Sequence, residues 1–397
     1  MKKVPIVNGS ERIRPDGSQK KCILFLNAGL YPCTTGGIEI FHYYFVKALS
    51  VHFPLIVLST CDQQFSEPSI ISKSIASPIG RGQTAFTIYY HTKYLLKYRN
   101  QIGLIHIPYA SENLFQYYHV MVMARLLGIP YILRISGGRM YPGRPDFLHA
   151  QYFRYAHGII GVSNPIKEEY ERRYGREIRL IPSYLPFLTT DLSKEKLRRA
   201  HNIATGRLVF LYLGSVKKLK GPDVLVEALT LIGKSYLREK QVVVLFVGGG
   251  ELEATLRAGI KDNGMDDVIR FVGKVPYECV HEYYRLADVF VIPSLFEARP
   301  LALAEALYNG LPAIGSDIST ISNTIRHEVN GLLVPPEDPA RLADAIRILV
   351  EDPSRREKYA KASRGQKEEF DNFNTMVMDY VTMYREIMSR GKANGIG

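Results

Sequence analysis

Cysteine is scarce in this sequence, which has four cysteines among 397 residues. Cys22, Cys33, Cys61 and Cys279 are scattered and form no Cys-x-x-Cys pair. We therefore expect neither a disulfide framework nor a zinc site, and we expect a reducing, cytoplasmic setting. No Asp-x-Asp cluster with supporting ligands is evident either, so the sequence calls for no metal or other cofactor.

Long apolar runs are also missing. The first residues, MKKVPIVNGSERIRPDG, are polar and lack the apolar core of a signal peptide. The most apolar stretch elsewhere, VMVMARLLGIPYIL, is interrupted by Arg125 and Pro130. A membrane-spanning helix needs roughly 18 or more apolar residues in succession, so we expect none in this chain.

The charge is distributed unevenly along the chain, whose formal net charge is +12. Residues 1–185 contain 22 lysines and arginines against 11 acidic residues, whereas the remainder contains 29 against 28. A basic half beside a neutral half suggests that the first half meets something acidic. A merely solvated basic surface would give the same composition, so both interpretations stay open.

Strand-like apolar runs alternate with helix-like segments through most of the chain. The first strand-like runs are CILFLNAG, PLIVLST, GLIHIPY and PYILRISG. The alternation of strands and helices begins again at RLVFLYLG, after the loop IPSYLPFL. This alternation is typical of parallel sheets covered by helices on both faces, and the chain is long enough for two cores. We predict an α/β protein with domains 1–185 and 204–370, and a C-terminal helix, 371–397, that crosses back to the first domain.

Two glutamates, Glu297 and Glu305, stand eight positions apart in FEARPLALAEALYNG. We predict the strand DVFVIPS, then a loop, then a helix with Pro300 in its first turn and a glycine at its end. Both carboxylates can then flank one cavity, into which the free N–H groups of the helix start also point and favour an anion. A ligand with both hydroxyls and phosphates would satisfy this mixture. The plain alternative is one helix-start acid and one solvated acid.

A second anion-binding element lies in LYLGSVKKLKGPDVLVEAL. A strand ends near Gly214, a loop carries Lys217, Lys218 and Lys220, and a helix begins after Gly221. Lysines at the carboxyl end of a strand are placed to neutralise phosphate. A single basic loop is usually just solvated, but two such loops in one domain are less often accidental.

Nearly the whole chain resembles the family 4 retaining glycosyltransferases. The segments that carry the resemblance include EARPLALAEALYNGLPAIGSD, LGSVKKLKGPDVLVEAL, CTTGGIEIF and NGLLVPPEDPARLADAI. The resemblance implies the GT-B fold, in which two Rossmann-like parallel-sheet domains face each other across a cleft. The first domain would bind the acceptor and the second a nucleotide-sugar donor. The implied reaction is a metal-independent hexosyl transfer from a nucleotide diphosphate sugar to an acceptor hydroxyl, with retained configuration, in carbohydrate biosynthesis.

The resemblance also implies a role for each matching residue. Glu297 and Lys220 would be the catalytic pair: the glutamate contacts the sugar's hydroxyls near the reacting centre, and the lysine neutralises the diphosphate. Glu305 would hold the ribose hydroxyls. Other donor contacts would come from the amides of Leu301 and Ala302, from Gly36 and Gly37, and, near the base, from Lys274.

The sequence departs from the family pattern in its donor half. The family's arginine five residues before the lysine is Ser215 here, so Lys217 or Lys218 would supply the missing charge. The usual Phe-Gly pair after the first glutamate is Arg299-Pro300, which adds a cation and removes an amide. Sugar preference is open at this point.

A third departure lies in the acceptor half, where Ser136 replaces a histidine of the family. His106 and His119 could substitute for it, although a lone histidine is more often structural. A catalytically silent sugar-nucleotide-binding partner subunit is therefore kept as the alternative function. An epimerase on the same fold would need an acid/base set that is not evident.

The helix-like segment YYHTKYLLKYR interleaves tyrosines with basic residues, as at an anionic membrane interface. Tyr90, Tyr94 and Tyr98, spaced four apart, could instead face the core. No nucleic-acid recognition motif accompanies the charge. We predict a lipid-linked or other membrane-proximal glycan acceptor, with peripheral docking through residues around 81–100.

Overall fold

The structure is a computed structural model and describes residues 21–27, 30–33, 36–60, 65–75, 83–110, 114–137 and 146–393. These residues form two compact units. The first takes the described residues within Met1–Thr34, Ile38–Pro182 and Asn374–Gly397, and the second those within Thr35–Gly37 and Ser183–Phe373. Residues 186–203, which the sequence-based boundaries left between the two domains, belong to the second unit.

The first unit is a parallel sheet with helices between its strands. The strands described are β1 (Cys22–Asn27), β2 (Leu55–Ser59), β3 (Ile70–Ser74), β4 (Ile102–Ala110), β5 (Tyr131–Gly137), β6 (Gly158–Gly161) and β7 (Arg179–Leu180). The helices are α1 (Gly37–Leu49), α2 (Gln83–Tyr98), α3 (Leu114–Leu126), α4 (Asp146–Tyr155) and α5 (Asn164–Tyr174). The strand order is β3-β2-β1-β4-β5-β6-β7, and every pair is parallel.

The second unit repeats this plan with six parallel strands. They are β8 (Leu208–Leu213), β9 (Val242–Val247), β10 (Ile269–Gly273), β11 (Val289–Ile292), β12 (Ala313–Ser316) and β13 (Gly331–Val334), in the order β10-β9-β8-β11-β12-β13. The helices are α6 (Lys194–Ala200), α7 (Pro222–Ile232), α8 (Lys234–Glu239), α9 (Glu253–Asp262), α10 (Tyr277–Leu286), α11 (Leu301–Tyr308), α12 (Ser319–Ser322), α13 (Pro339–Glu351), α14 (Pro353–Gly365) and α15 (Lys367–Phe370). A 3-10 turn, Lys218–Lys220, precedes α7.

The inner strands of both sheets are buried because helices cover both faces, whereas the edge strands β3, β7 and β10 are partly exposed. Strand β9, VVVLFV, is buried at all six positions, and β2 at all five. Each sheet contributes to its own apolar core. This agrees with the continuous apolar runs in the sequence, since an exposed face would require a polar residue at every second position.

The last helix, α16 (Phe373–Ala393), returns to the first unit. The hydroxyl of Tyr380 accepts a hydrogen bond from Arg134 Nε at 3.0 Å, and the hydroxyl of Tyr384 pairs with His106 Nδ1. All four side chains are buried. No helix within the described ranges combines the length and apolarity needed to cross a bilayer.

Candidate functional site

The donor residues expected in the second unit lie on the carboxyl edge of its sheet, mostly around the point where the strand order changes direction. Strands β8 and β11 are neighbours, but the chain continues from β8 to β9 on one side and from β11 to β12 on the other. In open α/β sheets such a switch point leaves a crevice between the two loops that follow these strands. The loops here are residues 214–221 and 293–300.

These two loops contact each other directly. The N–H of Leu295 donates to the carbonyl oxygen of Leu219 at 2.9 Å. Gly221 has a φ of 63°, and a Cβ at this position would lie 2.0 Å from the carbonyl oxygen of Pro293. Any other residue at 221 would therefore be strained and would collide with the neighbouring loop. Glycine at 221 thus permits the observed spacing of the crevice.

Lys220 and Glu297 meet in this crevice as an ion pair. Lys220 Nζ lies 2.7 Å from Glu297 Oε1, and their side chains are 31% and 10% exposed. Ser294 Oγ donates to the same carboxylate oxygen at 2.9 Å, and Thr320 Oγ1 donates to the backbone oxygen of Glu297, also at 2.9 Å. Contacts from the loops after β8 and β11 therefore orient this carboxylate, and a contact from α12 holds the backbone of Glu297.

Glu305, the second glutamate of the pattern, is buried in the second turn of α11. Tyr277 donates its hydroxyl to Oε1 at 2.7 Å, and Tyr284 donates to Oε2 at 3.0 Å. Burial raises the pKa of Glu305 to about 7, although the two hydroxyl donors lower it. The alternative that Glu305 is a solvated surface acid is therefore wrong.

The start of α11 differs from the prediction in two details. Pro300 is the N-cap rather than a residue of the first turn, and the helix begins at Leu301. The N–H of Leu301 donates to the carbonyl oxygen of Arg299 at 2.9 Å, so it is not one of the free amides that were expected. The N–H of Ala302 has no acceptor among the described residues. At its other end, α11 is followed by Gly310 with a φ of 78°.

The side chain of Arg299, in the loop after β11, contacts a tyrosine near the start of the second unit. Its guanidinium lies over the ring of Tyr184, 5.0 Å from the centroid. Burial lowers the pKa of Arg299 below its usual range, while interaction with Tyr184 raises it. The extra cation of the Arg299-Pro300 departure is thus engaged with a tyrosine in this structure.

The basic loop after β8 does not present all its lysines equally. The carbonyl oxygen of Ser215 accepts hydrogen bonds from the Tyr212 hydroxyl at 2.8 Å and from the N–H of Lys217 at 2.9 Å. Lys218 is exposed and forms an ion pair with Asp223, the second residue of α7. Lys217 is exposed and has no ion-pair partner in the part of the chain described. Of the two lysines expected to replace the missing arginine, Lys217 is therefore the less constrained.

Backbones approach closely where β8, β9 and β10 end. Gly248 has a φ of 133°, and a Cβ there would lie 1.9 Å from the carbonyl oxygen of Gly214. Lys274, exposed after β10, extends over Gly249, so that its Cγ lies 3.1 Å from the position a Cβ at 249 would occupy. Lys274 thus lies at the same sheet edge as the crevice, two strands away.

The residues expected to contribute from the sequence-based domain 1–185 have mixed environments. Gly36 and Gly37 are exposed at the start of α1. Ser136 is 8% exposed near the end of β5, and its Oγ accepts a hydrogen bond from Arg134 Nη1 at 2.7 Å. Ser136 is therefore held by a buried guanidinium.

The two histidines considered as substitutes for the family's histidine are structural. His106 is fully buried, contacts Tyr384, and has a pKa well below its usual range because of burial. His119 stacks on His91, with ring centroids 5.3 Å apart, and burial lowers their pKa values to about 4 and about 3. His106, His91 and His119 therefore pack within the first unit as neutral rings.

Sequence reasoning missed four side chains that contact the two glutamates. Ser294 and Thr320 follow the ends of β11 and β12, so their positions at the carboxyl edge could have been recognised from the strand pattern. Tyr277 and Tyr284 lie on α10, 28 and 21 residues before Glu305. No local pattern indicates that α10 would face this carboxylate.

Residues 193–366 match the family model described as Glycosyl transferases group 1. The D-inositol 3-phosphate glycosyltransferase 1 of Catenulispora acidiphila is 34% identical over 171 residues, which are 42% of this chain and 40% of that relative. The chain therefore matches less than half the length of this relative, and the matched stretch is about as long as the family match.

Two solved structures have the same fold over most of the chain. A sucrose-phosphate synthase from Thermosynechococcus elongatus superimposes with a TM-score of 0.77 at 21% identity, covering 93% of this chain and 100% of that one. The Anabaena protein HepE, solved in complex with UDP, gives a TM-score of 0.71 at 16% identity, covering 92% and 100%. Together with the two parallel sheets, these likenesses confirm the predicted pair of Rossmann-like GT-B domains.

Proposed function

We propose, from the match of residues 193–366 to the family model of the group 1 glycosyl transferases, that this chain transfers a sugar from a nucleotide diphosphate sugar to an acceptor hydroxyl. The product would be a glycan, polysaccharide or glycolipid, and the anomeric configuration would be retained. The observation that carries this proposal is the Lys220–Glu297 pair at the switch point of the second sheet. A cation and a carboxylate held 2.7 Å apart suit a donor with a diphosphate next to hydroxyls.

Lys220 is assigned to the diphosphate. An ammonium group has three donor positions, so Lys220 can keep its bond to Glu297 and still donate to phosphate oxygens. The N–H of Ala302 at the start of α11, which has no acceptor among the described residues, adds a second positive group, because a helix N-terminus favours an anion. Stabilising the charge that develops on the leaving diphosphate is the main demand of this reaction. We assign no metal ion to the step, since these groups supply positive charge.

Glu297 is assigned to the transferred sugar. Ser294 and Lys220 both contact Oε1, which leaves Oε2 as the oxygen with the greater acceptor capacity for sugar hydroxyls. Glu305 is assigned to the ribose, Lys274 to the region of the base, and Gly36 and Gly37, at the start of α1, to close backbone approach to the donor.

The transfer reaction is tested with a panel of UDP- and GDP-sugars and measurement of released nucleoside diphosphate. We expect release from one donor class, and loss of that release in Glu297→Gln. The product's anomeric configuration, read by NMR, tests retention separately. Absence of release with every donor, together with tight binding of a nucleoside diphosphate, would favour the silent partner subunit. The serines at 136 and 215 are the features that favour this second candidate.

The acceptor proposal rests on the exposed face of α2. Five side chains of α2 are exposed: Ile88, Tyr89, Lys93, Leu96 and Lys97. The last four follow Ile88 by one, five, eight and nine positions, so all five share one side of the helix. The helix contains no acidic residue. Apolar side chains beside lysines suit an anionic lipid surface, which supports a lipid-linked or other membrane-proximal acceptor.

The tyrosines themselves contribute less to this surface than the sequence indicated. Tyr90, Tyr94 and Tyr98 are half-buried and pack against the core of the first unit, which is the rival interpretation of their spacing. Residues 81 and 82 of the expected docking segment lie outside the described residues. The docking proposal therefore rests on Tyr89 and its exposed neighbours.

Co-sedimentation with vesicles tests the docking. We expect binding to anionic but not neutral vesicles, with loss at high salt because exposed charges are screened. The Lys93→Glu/Lys97→Glu variant should stay in the supernatant. A matched double charge reversal on α14, Lys358→Glu/Lys361→Glu, should bind like the wild type. A wild-type protein that stays in the supernatant with anionic vesicles at low salt would contradict the proposal and favour a soluble acceptor.

A further inference from the structure

Two tyrosines on α10 donate hydrogen bonds to the carboxylate of Glu305. Tyr277 and Tyr284 are seven residues apart, close to two full helical turns, so both side chains leave the same face of α10. Each hydroxyl donates to a different oxygen of the Glu305 carboxylate, at 2.7 Å and 3.0 Å. Both rings are buried, so packing keeps each hydroxyl oxygen beside the carboxylate.

The remaining acceptor positions on Glu305 define what else it can bind. A carboxylate has about four lone-pair positions, two on each oxygen. The tyrosines take one on each oxygen, so with respect to the described residues one acceptor position remains on Oε1 and one on Oε2. Two such positions on adjacent oxygens match two hydroxyl donors on neighbouring carbons, as in a cis-diol.

The two tyrosine hydroxyls keep the buried carboxylate of Glu305 from lacking hydrogen-bond donors. The side-chain amide of Asn309 donates to the backbone oxygen of Glu305 at 2.8 Å and not to its carboxylate. Among the described residues, the ionisable groups that face the carboxylate are therefore Tyr277 and Tyr284. Without these hydroxyls the carboxylate would be buried without donors, which is unfavourable for the charged form.

We infer that Tyr277 and Tyr284 are positioning residues, which hold the Glu305 carboxylate charged and oriented so that it accepts both ribose hydroxyls of the nucleotide donor. This inference rests on the proposed function, because it needs a ribonucleotide ligand at Glu305. Its new content is that ribose recognition depends on the two tyrosines of α10 as much as on the glutamate.

The test compares nucleotides that differ by one hydroxyl. Binding of UDP, GDP and their 2′-deoxy counterparts is measured by calorimetry on the wild type, Tyr277→Phe, Tyr284→Phe and Glu305→Gln. For the nucleotide that binds, we expect the wild type to lose about tenfold in affinity when the 2′-hydroxyl is removed, as for a hydrogen bond to a charged group. In the three variants most of this penalty should disappear, because the ribonucleotide itself binds more weakly.

Tyr283→Phe is the matched control. Tyr283 lies on the same helix, but its ring contacts His201, with centroids 4.8 Å apart, and not Glu305. This variant should keep the wild-type penalty. Thermal denaturation of all variants separates lost recognition from lost folding, since a merely structural hydroxyl would lower the melting temperature without changing the difference between the two nucleotides.

Three results would decide against the inference. Tyrosine variants that keep the full 2′-deoxy penalty would show that the hydroxyls do not act on the ribose. A wild type that binds UDP and its 2′-deoxy form equally would show that Glu305 does not hold this hydroxyl, while leaving the proposed reaction in place. A wild type that binds no nucleoside diphosphate would refute the proposed function, and the inference with it.

Discussion

Replacing Lys220 by alanine removes the cation that lies 2.7 Å from Glu297 in the crevice. We expect turnover to fall by about 10²–10³, equivalent to about 2.7–4 kcal/mol, as when one donor to a developing negative charge is lost. The fold should be little affected. The lysine side chain is 31% exposed, and partly exposed ion pairs of this kind contribute at most about 1 kcal/mol to stability.

The assay is release of nucleoside diphosphate from the donor identified in the panel, with kcat and KM measured separately. If Lys220 acts on the leaving diphosphate, kcat should fall more than donor affinity does, because charge on the diphosphate grows in the transition state. Lys261→Ala, at the exposed end of α9, is the control for removing a surface lysine. A Lys220→Ala enzyme with wild-type kcat and an unchanged melting temperature would remove Lys220 from the site.

Three further outcomes follow from the same geometry. Glu305→Ala should weaken binding of the intact donor and of the nucleoside diphosphate alike, whereas Glu297→Ala should weaken mainly binding of the intact donor. Calorimetry with both ligands measures this difference, and the same loss of affinity for each ligand in both variants would contradict the assigned roles. Because the pKa of Glu305 is raised to about 7, nucleotide affinity should fall as the pH drops below 7 and the carboxylate protonates, and Glu305→Gln should flatten this dependence. Gly221→Ala should lower the free energy of unfolding by more than about 1 kcal/mol in chemical denaturation, because its Cβ would collide with Pro293; an unchanged midpoint would refute the close contact of the loops.

The strand pattern and the two anion-binding loops could be predicted from sequence because each depends on a short, local signal. Continuous apolar strands report burial on both faces of a sheet, and lysines or a helix start after a strand report the carboxyl edge. The same rules placed Lys220 and Glu297 in two loops that each follow a strand, and the structure shows that these strands are neighbours. Their direct contact then follows from the pairing of β8 with β11.

What the sequence did not predict depends on contacts between segments far apart in the chain. The donors to Glu305 come from α10, and the partner of Arg299 is Tyr184, 115 positions earlier. The pairing of Lys218 with Asp223 is local but competes with the expected phosphate role, and only geometry shows which interaction is made. Periodicity specifies which face of a helix is buried, but it does not specify which partner it meets.

The return of α16 to the first unit has a consequence for how the chain is made. Tyr380 and Tyr384 form hydrogen bonds with Arg134 and His106 inside the first core, yet they are translated only after residues 183–373 of the second unit. At about 5–20 residues per second, the roughly 190 intervening residues take about 10–40 s to synthesise. At the end of that time the second unit has its own sequence and can fold. The first unit, although most of it was translated earlier, still lacks a helix. The unit that begins first is therefore finished last.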